Sequence, residues 1–327
     1  MDELLKCTDV QEALQFLCED DERTLREHLE MCQIPAPSYE EGEKAEYVRK
    51  KMMDAGLEDV HIDEVGNVLG TWKGTGNGPR IMIAGHTDTV FPRETDLTLK
   101  KEGERYSCPG IGDDTRAVAE LLSLARALNA TGIHGEGDIV FCANVCEEGL
   151  GDLRGIKHAF KDMANGHYDG FVSIDDKNTS GIIYQAVGSE RYLVTFHGTG
   201  GHSFTGFGIP NPIHAMGRAI AKISDFQTPK NPKTTFSVGV VNGGTSVNVI
   251  AAECSMLVDM RSVDAGELEA LSAKFHQAVE EAVREENARW TAGEDDHITV
   301  TFEEKGKRPG RFHGKLQDNV RFLLPDK

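Results

Sequence analysis

The sequence lacks several features that would mark whole classes of protein. No Cys-x-x-Cys motif occurs, and the seven cysteines are an odd number at scattered positions, unlike a disulfide framework. No apolar run approaches the ~20 residues that a membrane span needs. The N-terminal stretch Met1-Asp-Glu-Leu-Leu-Lys-Cys7 has no basic region followed by an apolar core. These absences predict buried free thiols in a cytoplasmic protein that has neither a signal peptide nor a membrane span.

Basic residues are scarce relative to acidic ones, with 35 Lys and Arg against 54 Asp and Glu and a formal net charge of −19. Nucleic acids and anionic membranes both attract clustered basic side chains, so this balance argues against either as a partner. A length of 327 residues is enough for two domains with substantial cores.

The first part of the chain alternates helical and strand-like patterns. Apolar spacing predicts two acidic helices over residues 9–33, and Ser38 followed by Glu41 resembles a capping box that opens a third helix ending near Ala55. Apolar runs then alternate with helical patterns, which favours an α/β domain with a largely parallel sheet and helices on both faces. The predicted strands are Val60–Asp63, Val68–Trp72, Arg80–Ala84, Asp138–Ala143 and Gly170–Ile174, with helices over Ala117–Leu128 and Leu153–Phe160.

The pattern changes near residue 190, where strands and helices follow in the order βαββαβ. This order is typical of the ferredoxin-like, split-βαβ sandwich. We therefore predict a first domain over residues 1–187 plus 306–327, interrupted by a compact insert over 188–305. The insert's predicted strands are Arg191–His197, Thr235–Val241, Cys254–Arg261 and His297–Glu304, and its helices are Asn211–Ile223 and Ala265–Glu286.

Two polar motifs of the first domain follow apolar runs or turns. His86 and Asp88 lie two apart after a strand, so in an extended chain Asp88 can accept the second ring N–H of a metal-bound His86. Asp113 follows the glycine turn 110–112, and its two carboxylate oxygens allow it to bridge two cations. Each motif alone has an ordinary alternative: a surface turn for His86-x-Asp88 and a helix N-cap for Asp113.

Carboxylates also follow the next two predicted strands. Glu147 and Glu148 point in different directions, so one can bind metal while the other accepts a proton from water, although a solvated acidic turn would look the same. Asp175 is a further carboxylate that follows the next predicted strand, Gly170–Ile174. Parallel strands present their ligands at one edge, so together the motifs predict a hydrolytic two-metal centre there.

The order His-x-Asp, Gly-x-x-Asp-Asp, Glu-Glu and Asp resembles the M20 family of metallopeptidases, over residues 24–305. The resemblance implies a di-zinc α/β domain interrupted by a lid or dimerisation domain, and hence a homodimer with two Zn²⁺ per subunit. It also implies a role for each residue. His86 and Asp175 would hold one zinc, Asp113 would bridge both, Glu148 would hold the second, Glu147 would be the general base and Asp88 would orient His86.

Three residues of the insert resemble substrate-binding positions of the same family. His202, in Gly200-Gly-His-Ser203, would stabilise a developing oxyanion, often across a dimer. Asn248 and Arg261 would bind a substrate carboxylate or backbone. Without the resemblance, His202 would be a structural histidine at a strand end and Arg261 one half of a structural ion pair.

The C-terminus departs from the family pattern. The family returns to the catalytic sheet after the lid and supplies a last His ligand to the second zinc. Here Gly306–Lys327 contains only His313, in a context that does not resemble the closing motif. We expect a shortened chain in which the second zinc site lacks one ligand.

These features support a zinc-dependent exopeptidase that hydrolyses short peptides, with Glu147 as the general base. Asp rather than Glu at position 175 resembles the tripeptidase and aminopeptidase branch of the family. Two alternatives stay open: an M20 deacylase or carboxypeptidase, and a catalytically impaired remnant that keeps the dimerising lid. A dinucleotide-binding enzyme is disfavoured because the cluster at residues 198–203 lacks the last glycine of that fingerprint.

Overall fold

A computed structural model describes residues 3–161, 168–175, 181–183 and 186–308 of the chain. The described chain divides near residues 181 and 182 into two units, each with its own core. His313 lies outside the described residues, as does the rest of the C-terminal stretch beyond residue 308.

Every predicted helix and strand of the first unit is present, with ends that differ by a few residues. A short two-stranded hairpin over residues 100–107 was not predicted. In chain order the elements are α1 (Thr8–Glu19), α2 (Asp21–Cys32), α3 (Gly42–Asp54), β1 (Glu58–Ile62), β2 (Val68–Trp72), β3 (Ile81–His86), β4 (Lys100–Glu102), β5 (Arg105–Ser107), α4 (Thr115–Ala130), β6 (Ile139–Asn144), α5 (Arg154–Lys161) and β7 (Gly170–Ser173).

The five-stranded sheet of this unit has the order β1-β2-β6-β3-β7. Strand β3 pairs in parallel with β6 and with β7, whereas β2 is antiparallel to both β1 and β6. Only β2 therefore runs against the other four strands. The largely parallel sheet predicted from the alternation of helices and strands is confirmed.

Helices cover both faces of the sheet, as predicted. On one face α2, α3 and α4 bury a core that includes Phe141 and Ala143 of β6. On the other face α5 packs over Val140 and Cys142 of the same strand. The period-two alternation of β6 places its apolar side chains into both cores, which explains why a continuous apolar run forms the strand.

Helix α2 is tied to α4 by a buried ionic network. The Arg126 guanidinium donates to Asp20 through Nε at 2.9 Å and to Glu27 through Nη1 at 2.7 Å, and all three side chains are less than a tenth exposed. Burial alone would raise the pKa of both carboxyls, but the hydrogen bonds and the positive charge of Arg126 lower it instead. The network fixes α2, which carries a side chain that contacts the candidate site.

The capping box predicted for Ser38 and Glu41 is wrong. Helix α3 begins at Gly42 with Glu41 in the N-cap position, and no side chain caps it. The Ser38 hydroxyl instead donates to Asp88, 50 residues away, and the Glu41 carboxylate accepts from Cys146, 105 residues away. Both side chains form hydrogen bonds with residues distant in sequence in place of the local bonds of a capping box.

The second unit is an antiparallel sheet of order β10-β12-β8-β13 with two long helices. Helices α6 and α7 pack on the sheet over one apolar core, and the predicted βαββαβ order is present. Asn211 caps α6, and Pro212 occupies its first turn. The elements are β8 (Gly188–His197), β9 (Gly201–His202), α6 (Pro212–Ser224), β10 (Thr234–Gly243), β11 (Val249–Ile250), β12 (Glu253–Ser262), α7 (Ala265–Ala288) and β13 (Thr299–Arg308).

All seven cysteines are free thiols, but not all are buried. Cys7 and Cys18 are exposed, so the expectation of burial fails at these two positions and holds for the other five. Among the described residues, no helix combines the length and the apolar character that crossing a bilayer requires.

Candidate metal centre

The candidate centre lies at the carboxyl edge of the parallel strands. His86 ends β3 and pairs in register with Asn144, the last residue of β6. Glu147 and Glu148 lie just beyond the end of β6, and Asp175 lies just beyond β7, which pairs with the other side of β3. Three neighbouring parallel strands therefore deliver these side chains to one edge, as the sequence predicts.

The imidazole of His86 is buried, with 2 % of the residue exposed, and its two nitrogens face different groups. Nδ1 lies 2.9 Å from the carbonyl oxygen of Asp88 and 3.4 Å from its carboxylate, and Nε2 lies 3.1 Å from Asp113 Oδ1. A carbonyl can only accept, so Nδ1 carries the hydrogen and Nε2 of a neutral ring is left to bind a cation. Burial alone would lower the pKa of His86, but Asp88, Asp114 and Glu147 raise it to about 10.

The carboxylate of Asp88 connects His86 to the residues that follow β6. Its Oδ1 accepts from the backbone N–H of Glu147 at 2.9 Å, and its Oδ2 accepts from Glu148 N–H at 3.1 Å and from the Ser38 hydroxyl at 2.6 Å. Burial alone would raise the pKa of Asp88, but these hydrogen bonds and that with His86 lower it. A buried, ionised Asp88 therefore holds the histidine and the Glu-Glu pair in one arrangement.

The loop that carries Asp113 is anchored from two directions. His28 on α2 places Nε2 2.6 Å from the carbonyl oxygen of Ile111, and the Thr115 hydroxyl donates to the carbonyl of Gly110 at 2.9 Å. Gly110 has φ +76°, and a Cβ there would lie 2.6 Å from the Thr89 side chain, so only glycine fits. The Asp113 carboxylate itself remains exposed, which leaves it accessible to a cation.

Asp114 is a site residue that the sequence did not reveal. It occupies the N-cap position of α4 without capping it, and its carboxylate accepts the backbone N–H of His86 at 3.0 Å. Burial raises the pKa of Asp114 to about 8, because its effect exceeds the lowering by the charge and the N–H of His86, and the charges of Asp175 and Asp113 add smaller increases. The second Asp of the Asp113-Asp114 pair was the available signal in the sequence. An N-cap role at the start of α4 was a sufficient local explanation for an aspartate there.

Two groups of side chains are close enough to share a cation. Ligand atoms of His86, Asp113 and Asp175 lie within 4.8 Å of one another, and so do those of His86, Glu147 and Glu148. Burial raises the pKa of Glu148, and the charges of Asp113 and Glu147 raise it further. Carboxylates that repel one another beside an imidazole nitrogen are the donor set expected of a divalent-cation site, so the residues fit a metal.

The second unit separates the three predicted substrate-binding residues into two places. His202 pairs with Val249 across β9 and β11, next to Asn248, whose carbonyl accepts from Ser203 N–H at 2.9 Å. Both side chains are exposed. The structure thus brings His202 and Asn248 together.

Arg261 lies near the opposite end of β12 from the segment that carries His202. A hydrogen bond from Gly198 N–H to the carbonyl oxygen of Ala252 joins that segment to the start of β12. About eight residues, each spanning ~3.4 Å, separate the start of the strand from Arg261. The Arg261 guanidinium donates to Asp259 at 2.8 Å, as does Arg191. Within this unit Arg261 takes part in a structural ion pair, and its role toward substrate remains a prediction.

Comparison with known families supports this description. Residues 184–287 match the model of the peptidase dimerisation domain of the M20 peptidases, and residues 67–200 match the model of peptidase family M28. The first match falls on the second unit, and the second covers the strands that bear His86 and the Glu-Glu pair.

Individual relatives are similar over most of the chain. An uncharacterised protein, YqjE of Bacillus subtilis, is 27% identical over 83% of this chain and 74% of its own length. A succinyl-diaminopimelate desuccinylase of Bordetella petrii is 24% identical over 72% of this chain and 66% of its own. The crystal structure of a Staphylococcus aureus tripeptidase superposes with a TM-score of 0.68 and 21% identity, over 92% of this chain and 82% of that one.

The fold and the clustered ligands define a metal-dependent hydrolase whose first unit is followed by a ferredoxin-like unit. The matches to the dimerisation-domain and peptidase models, together with the desuccinylase relatives, support an M20 family metallopeptidase. The family expected from the motif order is thereby confirmed.

Proposed function

We propose that this chain is a zinc-dependent exopeptidase acting on short peptides, in the manner of a tripeptidase or aminopeptidase. The observation that carries the proposal is the convergence of His86, Asp113 and Asp175, with Glu147 and Glu148 beside them. No thiolate contributes to either group of ligand atoms. An imidazole with several carboxylates at an accessible edge suits hydrolysis better than a structural site closed by cysteines.

The proposed zinc ligands follow the geometry of the two groups. His86 and Asp175 would hold one ion, Asp113 would be shared, and Glu148 would serve a second ion. Bound zinc would polarise the scissile carbonyl and lower the pKa of the attacking water. The shared role of Asp113 is supported by its exposed carboxylate 3.1 Å from His86 Nε2.

Glu147 would accept the proton of the attacking water and deliver it to the leaving amine. Its backbone N–H is fixed by Asp88, whereas its side chain belongs to the same group of atoms as His86 and Glu148. Asp88 would keep the Nδ1 proton of His86 in place, so that Nε2 faces the metal. General bases in this position contribute about 10²- to 10⁴-fold to a rate.

A second candidate is an amide-bond deacylase, favoured by the identity to named desuccinylases at 24% to 26%. Aspartate at position 175 supports the peptidase instead, through its resemblance to the tripeptidase branch. Both reactions use the same metals and the same base, so the difference lies in which acyl or amino group the substrate presents.

The test is to measure zinc per chain and hydrolysis in the same preparation. We expect bound zinc after reconstitution and desalting, cleavage of free tripeptides that a chelator abolishes, and slower cleavage of an N-succinyl amino acid. The reverse preference would favour the deacylase. One zinc or none, with neither substrate cleaved, would favour the non-catalytic remnant.

We also propose that two copies associate through β10 of the second unit. Strands β10 and β13 are the two edges of its sheet, and they differ in charge. Strand β13 bears five charged residues between Glu303 and Arg308, whereas β10 bears none between Thr234 and Gly243. Charged edges resist pairing and uncharged ones permit it, so β10 is the edge suited to a second copy.

A charge placed on β10 should therefore give a monomer. Val241, about half exposed on that strand, is the position to change. We expect Val241→Lys to halve the mass measured by light scattering after size exclusion, because two lysines would meet across the twofold axis. The matched control, Glu303→Lys on β13, should keep the parent mass, and a dimeric Val241→Lys variant would refute pairing through β10.

A further inference from the structure

The loop that follows β6 is not held by the sheet. Strand β6 ends at Asn144, and four residues between 146 and 153 have a positive φ, three of which are not glycine: Cys146, Gly149, Asp152 and Leu153. Such backbone persists only where surrounding contacts impose it. The position of Glu147 therefore depends on what the loop touches.

One short segment supplies several of the hydrogen bonds to this loop. Residues 38–41, here called the 38–41 segment, lie between the end of α2 and the start of α3. Tyr39 has φ +75°, and its hydroxyl donates to the carbonyl of Leu150 at 3.0 Å. The Glu41 carboxylate, 5 % of whose residue is exposed, accepts from the backbone N–H of Cys146 at 3.0 Å and from its thiol at 3.3 Å.

The third contact passes through Asp88. Ser38 donates to Oδ2 of Asp88, which accepts from Glu148 N–H through the same oxygen and from Glu147 N–H through the other. Hydrogen bonds thus reach residues 146, 147, 148 and 150 from three neighbouring side chains, on both sides of Glu147. A loop pinned on either side of one residue has little freedom to move that residue.

We propose that Tyr39 and Glu41 are positioning residues that hold Glu147 in place for proton transfer. The inference rests on the proposed role of Glu147 as general base. Neither residue belongs to the groups of ligand atoms, so each acts through the backbone of the 146–150 loop. Removing either contact allows Glu147 to move, and Glu148 with it, while the ligands at the ends of β3 and β7 stay where they are.

Kinetics of single variants test the proposal. We expect Tyr39→Phe to lower kcat about 10-fold and Glu41→Leu about 100-fold, with KM unchanged and zinc still bound by His86, Asp113 and Asp175, because small displacements of a catalytic group are costly. Glu41→Gln keeps an acceptor oxygen for Cys146 N–H and should restore most of the activity. The matched control is Tyr47→Phe, which removes a hydroxyl bonded to Glu30 on α2 and should leave kcat unchanged.

A double-variant cycle separates positioning from general damage. If Tyr39 acts only through Glu147, then Tyr39→Phe should have no further effect in a Glu147→Gln background. An equal loss in both backgrounds would overturn the proposal. So would a Glu41→Gln variant as impaired as Glu41→Leu, because the acceptor atom would then not be what matters.

Amide hydrogen exchange tests the same contacts without any activity. We expect faster exchange at residues 146–150 in Tyr39→Phe and Glu41→Leu than in the parent or Tyr47→Phe, since fewer bonds would hold the loop closed. Unchanged exchange would overturn the proposal even in an active enzyme. Faster exchange in a chain that hydrolyses nothing would instead support the contacts of the 38–41 segment with the loop and refute the proposed function.

Discussion

Replacing Glu147 by glutamine should lower kcat by about 10²- to 10⁴-fold while the chain stays folded and keeps its zinc. Glutamine has nearly the same shape as glutamate, but its amide cannot take a proton from water. The backbone N–H of residue 147 would still donate to Asp88, so the loop would keep its connection to His86. The measurement is steady-state hydrolysis of a tripeptide beside zinc analysis of the same sample.

Two control variants make this result specific. Glu46→Gln removes a carboxylate of α3 that pairs with Arg49 on the same helix, and should leave kcat unchanged. Glu148→Gln removes a proposed ligand and should lower zinc content together with activity. Near-parental activity in Glu147→Gln would contradict the role of general base, and loss of zinc in that variant would make residue 147 a ligand instead.

Replacing Asp113 by asparagine should remove activity by lowering zinc content. Asp113 is the carboxylate proposed to serve both ions, and its loss should cost at least about 10³-fold in hydrolysis, since metal stabilisation is worth several kcal/mol. Elemental analysis after desalting measures the zinc, and the same preparation gives the rate. Retention of the parental zinc content would contradict the proposed ligand role.

The metal-free form of the variant gives an independent check. Asp113 contributes to the repulsion that raises the pKa of Glu148, so Asp113→Asn relieves strain among the carboxylates. We expect its melting temperature without zinc to equal or exceed that of the metal-free parent. The matched control is Asp114→Asn, at the neighbouring position. The side-chain oxygen of the new asparagine can still accept from His86 N–H, so this variant should retain its zinc.

Much of the fold could be predicted because the signals are periodic. The strands around Phe141 and Met82 are continuous apolar runs, and burial on both faces of a sheet requires that pattern. The helices follow from apolar spacing alone. Parallel strands in turn bring residues from separate motifs to one edge, which is why the order of the motifs is enough to predict that Glu148 and Asp175 each lie close to His86.

Local patterns misled where a residue's partner is distant in sequence. Ser38 and Glu41 have the spacing of a capping box, yet their partners are Asp88 and Cys146. Asp114 has the position of an N-cap, yet its carboxylate accepts from His86. A side chain satisfies one buried backbone group or another, and only the packed chain determines which is nearer.

The sequence by itself determined the family, the order of secondary structure and the chemical types available at the sheet edge. Those properties depend on composition, period and motif order, all of which are written along the chain. The tertiary structure decided that the 38–41 segment contacts the loop of Glu147, that Asp114 bonds the histidine backbone, and that Arg261 lies apart from His202. These contacts join residues that only folding brings together, because hydrogen bonds depend on distances through space and not on separation along the chain.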